Sequence, residues 1–421
     1  MRAQALEEGR TTAMSDFLSD EIVVEILQRL PTKTLIQFRS VSKSGYSLIT
    51  NPNFINTHLS FSLTSNTYKS SYDNLLMIVR QCLCDLHTRT EHCTLYIDSN
   101  ESFEVYKRFV IPIKSCHLIT FGYAKGLFCF FEQDRFLLWN PSIRKFMAMA
   151  KPTIKTSFNH GFGFDPQNND YKMVRIAKNY STKEEPTTPI EPVGITICDT
   201  VRFAVYLEGA VHFAVNMKQS NDPLILSFDL SDEVFQTMLL PDSIVGPRTQ
   251  IGISVFGELL SLLCYEHTAG IKSCSIWIMK EYGVVDSLYK QFKIGISGGI
   301  TRVLGIRNNG HVLLVVATTS SGGWMLSSYD PSSQQIKNLG IYTTANPFVV
   351  DTYEENLILL NKPNAAFSRR RVSKRKIDKT KSDNFNYSMD SKHDLVDNLT
   401  YDSSLPDGTT SDILIFLRHV R

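Results

Sequence analysis

GLFCFFEQDRFLLWNPS, residues 126–142, holds a glycine, an apolar run, a short polar break and a second apolar run that ends on Trp139 before Asn140-Pro141. Short runs rich in aromatic and β-branched residues, closed by turn formers, are the pattern of β-strands. The unit recurs. GAVHFAV and ILSFDLS follow Gly209, GELLSLLCYE and SIWIMKEYG follow Gly257, and GHVLLVV and MLSSYDPSSQQI follow Gly310. In each the second strand closes on an aromatic: Trp139, Phe228, Trp277 or Tyr329.

The glycines lie 83, 48 and 53 residues apart. The last two intervals match the roughly 40 to 50 residues of a four-stranded propeller blade, and the first holds two blades if YKMVRI at 171–176 belongs to another. From Asn74 to about Leu360 the chain reads as all-β, and the repeat favours a β-propeller over a sandwich. Glycine before a strand and Asn/Asp-Pro after one are also ordinary hairpin punctuation.

A chain of 421 residues exceeds one small core, which leaves room for an accessory module beside the β-domain. Hydrophobic residues make up 43% and charged ones 20%, so a packed interior is expected. A net charge of +2 gives no field that marks nucleic acid as the main partner. The longest apolar runs, VLLVVA at 312–317 and ILIFL at 413–417, fall short of a membrane helix. The first residues lack an apolar signal core, so the eight cysteines are expected as reduced thiols.

Ahead of the β-region the pattern is helical. In DEIVVEILQRLP, Ile22, Val23, Ile26, Leu27 and Leu30 repeat at helical spacing, Asp20 and Glu21 favour the positive end of the dipole, and Pro31 closes the helix. Thr32 can cap a second helix through Leu35, Ile36 and Phe38, and a third runs through Tyr46, Leu48 and Ile49 until Asn51-Pro52 stops it. Three short helices bury little area alone, so the module is expected to lean on a partner. Behind the β-region, RRRVSKRKIDKTK at 369–381 has eight basic residues against one acid, and 382–412 has seven aspartates against one lysine. Such blocks read as a flexible tail. Arg369, Arg370, Arg371, Lys374, Arg375 and Lys376 form a possible nuclear-import signal.

No catalytic, cofactor or metal site is assigned. GISGG at 295–299 fits the letters of a serine-hydrolase elbow, but strand and turn follow Ser297 where a helix is required. Cys82, Cys84, His87, His92 and Cys93 cluster without the spacing of a zinc knuckle, and Cys82 and Cys84 fit one face of a strand. GFGFD at 161–165 lacks the Lys-Ser/Thr of a phosphate loop.

FLSDEIVVEILQRLPTKTLIQFRSVSKSGYSLITNPNFINTHL, residues 17–59, resembles a plant F-box through Leu18, Glu21, Ile22, Glu25, Ile26, Leu27, Arg29, Leu30, Pro31, Lys33, Leu35, Phe38, Arg39, Val41, Ser42, Lys43, Leu48 and Ile49. LLWNPSIRKF (137–146), GFGFDPQNNDYKMVRI (161–176), ILSFDLSDEVF (225–235), SIWIMKEYGVVDS (275–287) and VDTYEENLILL (350–360) resemble the kelch-like F-box-associated domain of the same proteins, to which S-locus F-box-like proteins are related. The implied organisation is a multidomain α plus all-β chain: a flexible N-terminus at 1–14, a small three-helix F-box at 15–59, linker and first strands at 60–115, a β-propeller-like domain at 116–362 and a flexible charged tail at 363–421.

The resemblance implies a non-catalytic, substrate-recognition subunit of a Skp–cullin–F-box ubiquitin ligase in the cytoplasm or nucleus. Its F-box would bind the Skp-type adaptor, and through it cullin, by Leu18, Ile22, Ile26, Leu27, Leu30, Pro31, Leu35, Phe38 and Val41. Its β-domain would hold a target protein, with loops such as 178–193 as the recognition surface. No cofactor, membrane or nucleic acid is implied. Ser19 and Gly45 depart from the usual proline and tryptophan, and the residues after Arg175 lack the strand pair the family places there, so one blade is expected to be incomplete. The alternative is a propeller-like binding module that no longer engages the ligase, for which Gly45 is the warrant.

Overall fold

The computed structural model describes residues 18–64, residues 75–362 apart from breaks of which 112–118, 150–157, 179–194 and 197–203 are the longest, and the strand 413–419. Four helices open the chain: α1 Asp20–Leu27, α2 Thr32–Phe38, α3 Lys43–Ile49 and α4 Pro52–Thr64. The expected count of three is corrected by α4. Asn51-Pro52 stops one helix and starts the next, with Asn51 Oδ1 accepting the Asn53 N–H at 2.8 Å. Proline fits that first turn because its missing N–H would have had no helical partner. α1 also ends three residues before Leu30, and Pro31 occupies the N-cap position of α2, so Thr32 is helical and caps nothing.

The described strands form six sheets. The first combines β1 (Leu75–Cys84), β2 (Arg89–Asp98) and β3 (Phe103–Val110) with a strand from far down the chain, β23 (Val349–Thr352). The second is β4 to β7, at Ile119–Ala124, Leu127–Glu132, Arg135–Asn140 and Lys145–Ala148; the third contains β8 (Phe158–Asp165) and β9 (Asp170–Lys178). In the fourth, β10 (Ile195–Thr196) and β11 (Val205–Leu207) share one edge of β12 (Ala210–Met217), followed by β13 (Pro223–Asp229) and β14 (Phe235–Leu239). β15 to β18, at Gln250–Phe256, Leu259–Thr268, Ile271–Met279 and Leu288–Gly295, make the fifth. β19 to β22, at Ile300–Ile306, Val312–Ala317, Trp324–Asp330 and Gln335–Thr343, make the sixth.

Each sheet packs on the next and the sixth packs on the first, which closes a β-propeller. Phe128, Phe130 and Trp139 meet Ile78 and Leu95 between the second and first sheets, while Leu127, Leu138 and Cys129 meet Phe162 and Met173 between the second and third. Strand β5 therefore sends alternate side chains to opposite neighbours, and this two-sided burial is why its sequence is continuously apolar. At the closing seam Leu313 and Leu326 pack on Met77 and Val79. β23 pairs with β1 from Met77↔Thr352 to Arg80↔Val349, so the two ends of the domain share one sheet. The stretch 60–115, read as linker and first strands, thus supplies three of that sheet's four strands.

The four repeat glycines occupy equivalent places, in the turn leading into β5, β12, β16 and β20 of the second, fourth, fifth and sixth sheets. Lys125-Gly126 (φ 40° and 82°) and Glu208-Gly209 (φ 50° and 76°) have the paired positive φ of a tight primed turn. The 83-residue first interval holds the third sheet, as YKMVRI suggested. Its third strand comes from the segment read as tail: β24, Ile413–His419, pairs antiparallel with β9. That part of the tail is strand, because ILIFL is a β-forming run and, among the described residues, no other strand pairs with that edge of β9. Residues 363–412, with the basic block, lie outside the described residues.

Candidate functional site

The helical module has an inner and an outer face. On the inner face Leu35, Ile49, Phe54 and Ile55 are buried against Leu357 and Leu360 of the chain that follows β23. Leu59 reaches the cluster between the second and third sheets. Lys145 Nζ of β7 donates to the Leu360 carbonyl at 2.7 Å, which ties that following chain to the second sheet. His58 lies near the Leu30 carbonyl at 3.2 Å, and its burial lowers its pKa.

The 353–360 segment is itself locked to the propeller. Asn140 Nδ2 donates to Asn356 Oδ1 at 2.6 Å and to the Ile358 carbonyl at 2.9 Å, and Asn356 Nδ2 donates to the Lys125 carbonyl at 2.7 Å. Gly126 makes this possible: a Cβ there would stand 2.1 Å from Asn356 Nδ2.

On the outer face Ile22, Ile26, Phe38 and Val41 are 46%, 47%, 45% and 75% exposed, and Pro31 is exposed too. Leu18, Leu27 and Leu30 are half-buried, the last two against the inner cluster. Leu35 does not join this face. It is fully buried, one helical turn from the exposed Phe38 on α2. Tyr46, which sequence reading left out, adds a further exposed ring, with the Arg39 guanidinium 5.4 Å from its centroid. Five large apolar side chains are thus exposed between residues 22 and 46.

Gly45 sits in the first turn of α3, where its N–H donates to the N-cap Ser42 Oγ at 3.0 Å. A shallow depression lined by Ser40, Val41, Ser42, Lys43 and Tyr46 lies beside it. A Cβ at position 45 would stand 3.0 Å from Ser42 Oγ and 3.3 Å from the Phe38 carbonyl, so a larger residue must shift the cap slightly.

The chemistry-bearing motifs are structural where they are described. GISGG ends β18 and turns into β19, with Gly298 and Gly299 at φ 62° and 86°. Cys82 and Cys84 stand two residues apart in β1, Cys93 is buried and outside any disulfide, His87 lies outside the described residues, and no group placed to hold a metal occurs among the described residues. Cys129, Cys264 and Cys274 are likewise buried and free; burial pushes the Cys264 thiol up to about 12. Asp165 of GFGFD receives the Gln167 and Asn168 N–H groups at 3.0 Å and pairs with buried Lys172 at 2.9 Å. Lys172 also reaches Glu233 and the Leu230 carbonyl, tying the third sheet to the fourth. The 178–193 loop, apart from Lys178 at the end of β9, and the six basic residues from Arg369 to Lys376 lie outside the described residues.

Among the described residues no helix is long and apolar enough to cross a membrane. Residues 16–57 match the F-box domain and residues 74–362 the F-box associated beta propeller domain. An F-box/kelch-repeat protein of Arabidopsis thaliana is 29% identical over 301 residues, 65% of this chain and 78% of that protein. The F-box protein CPR1 of the same plant is 26% identical over 316 residues, covering 65% and 72%. With the F-box model on its helices and the propeller model on all but the last strand of its ring, the chain belongs to the F-box proteins that carry an F-box-associated β-propeller.

Proposed function

We propose that the chain is the substrate-recognition subunit of a Skp–cullin–F-box ubiquitin ligase. The observation that carries the reading is the exposed apolar face of Ile22, Ile26, Phe38, Val41 and Tyr46, on a module whose opposite face is already buried on the propeller. A Skp-type adaptor covers that face, with Pro31 and the half-buried Leu18, Leu27 and Leu30 at its margin. The propeller, rigidly joined to the module through residues 353–360, holds a target protein. The contribution to ubiquitin transfer is proximity, with no bond made or broken by this chain. Cullin is reached through the adaptor, and the complex works in cytoplasm or nucleus.

Target contacts fall on loops between strands, with 178–193 the first to test, because residues inside the strands are committed to packing between sheets. Replacing 178–193 with a neutral linker of equal length is expected to preserve adaptor binding and weaken target capture. Unchanged capture would move the target surface elsewhere. For the adaptor, Ile22→Asp with Val41→Asp is expected to abolish co-purification at an unchanged melting temperature. If the unaltered chain also fails to bind, the alternative of a propeller module detached from the ligase takes its place, and Gly45 is then the first residue to restore to tryptophan.

A further inference from the structure

Five of the six sheets have four or five described strands, while the third has β8 and β9 from the contiguous chain and β24 from 413–419. Without β24, β9 would, among the described residues, present an open edge of backbone donors and acceptors, which folded sheets normally cover or pair. β24 covers it over seven residues in unbroken antiparallel register, from Ile413↔Lys178 to His419↔Lys172. Ile415 stands opposite Ile176 and Leu417 opposite Val174, two buried members of the cluster between the third and fourth sheets.

The 50 residues 363–412 separate β24 from the rest of the domain, and their 31 residues from 382 onward carry seven aspartates. Every other sheet is built from hairpins apart from β10, which pairs with β12 across β11, and β23 at the seam, which starts six residues beyond the sixth sheet. The β24 segment alone reaches its sheet across a long polar stretch. Its docking is therefore closer to a tethered peptide binding a groove than to a hairpin closing on itself.

We infer that the outer edge of β9, residues 172–178, is a strand-addition site whose resident ligand is the chain's own segment 413–419, held in exchangeable fashion. The ligand class is an extended peptide with apolar residues at alternate positions, recognised by main-chain hydrogen bonds along β9. A resident strand on the same chain acts at an effective concentration of at most about 1 mM, the value for short tethers. A free peptide that binds the open edge at about 10 μM is then held off by a factor of at most about 100.

The test uses the full chain and a labelled peptide of residues 411–421. Successive N–H groups of a strand point in opposite directions, so Ile415→Pro with Phe416→Pro removes at least one donor to β9 and weakens the resident strand. The doubly substituted chain is expected to bind the peptide saturably, one to one, and more tightly than the unaltered chain does, by at most about 100-fold if the resident strand is fully released. Equal binding by both chains, or none by either, overturns the site. Loss of the cooperative melt in the substituted chain shows β24 to be an integral strand, which overturns exchange. A concentration-dependent dimer of the unaltered chain that disappears on substitution shows the edge filled by a second copy, which overturns the resident assignment.

Discussion

Gly126 and Gly257 share a positive φ, at 82° and 62°, yet they answer to different constraints. A side chain at 126 would collide with Asn356 Nδ2 and the Glu354 carbonyl, whereas nothing lies within 4 Å at 257. Gly257→Ala is expected to cost about 1 to 2 kcal/mol, the backbone strain alone. Gly126→Ala should cost clearly more and loosen the helical module, since it disrupts the Asn140–Asn356 lock. Equal losses on chemical denaturation would show that the lock contributes nothing. Asp165 gives a second contrast at this scale. Burial alone would raise its carboxyl, but the Ser231 hydroxyl, the Lys172 ammonium and Asn168 outweigh that and hold it well below the usual carboxylate range. A depressed carboxylate adds stability above its unfolded pKa of about 3.9 and loses it as pH falls further. Asp165→Asn should therefore destabilise the chain at pH 7 and shrink the loss between pH 4 and pH 2; an unchanged acid slope would contradict the pairing. Neither residue announced its role in the sequence. Gly126 reads as a turn glycine, and its partner Asn356 is 230 positions away.

The repeated hairpins are legible because their rules are local. Glycine at positive φ and Asx caps such as Asp229, which receives the Ser231 N–H at 2.8 Å, need only neighbouring residues. α4 was missed although Asn51-Pro52-Asn53 carries a start signal, because the same letters end α3 and the helix buries Phe54, Ile55 and Leu59 on partners distant in sequence. The two faces of the helical module make separable predictions. Leu35→Ala removes a fully buried side chain and should cost about 2 to 5 kcal/mol. Val41→Asp, at a side chain 75% exposed, should leave the melting temperature within a degree or two while lowering adaptor affinity at least tenfold. If Val41→Asp destabilised the fold as much as Leu35→Ala, the outer face would be part of the core. Ser42→Ala should cost about 1 kcal/mol through loss of the α3 cap to the Gly45 N–H.

Across the whole molecule, six apolar seams close a ring, and the chain that follows β23 carries the helical module on Leu357 and Leu360. The ring was visible in the spacing of its glycines, but its closure was not. β23 and β24 pair with strands more than two hundred residues earlier, and no local pattern records such a pairing. On the proposed reading the same geometry gives a protein with no assigned chemistry its part in a reaction: one end would fix the adaptor, the other would present the target, and the joint at residues 353–360 would set the distance between them. Titration calorimetry of the purified full chain against a Skp-type adaptor tests this most directly. The account predicts saturable one-to-one binding that Ile22→Asp with Val41→Asp abolishes while the fold persists. Absence of binding by the unaltered, folded chain, or undiminished binding by the doubly substituted one, would contradict it.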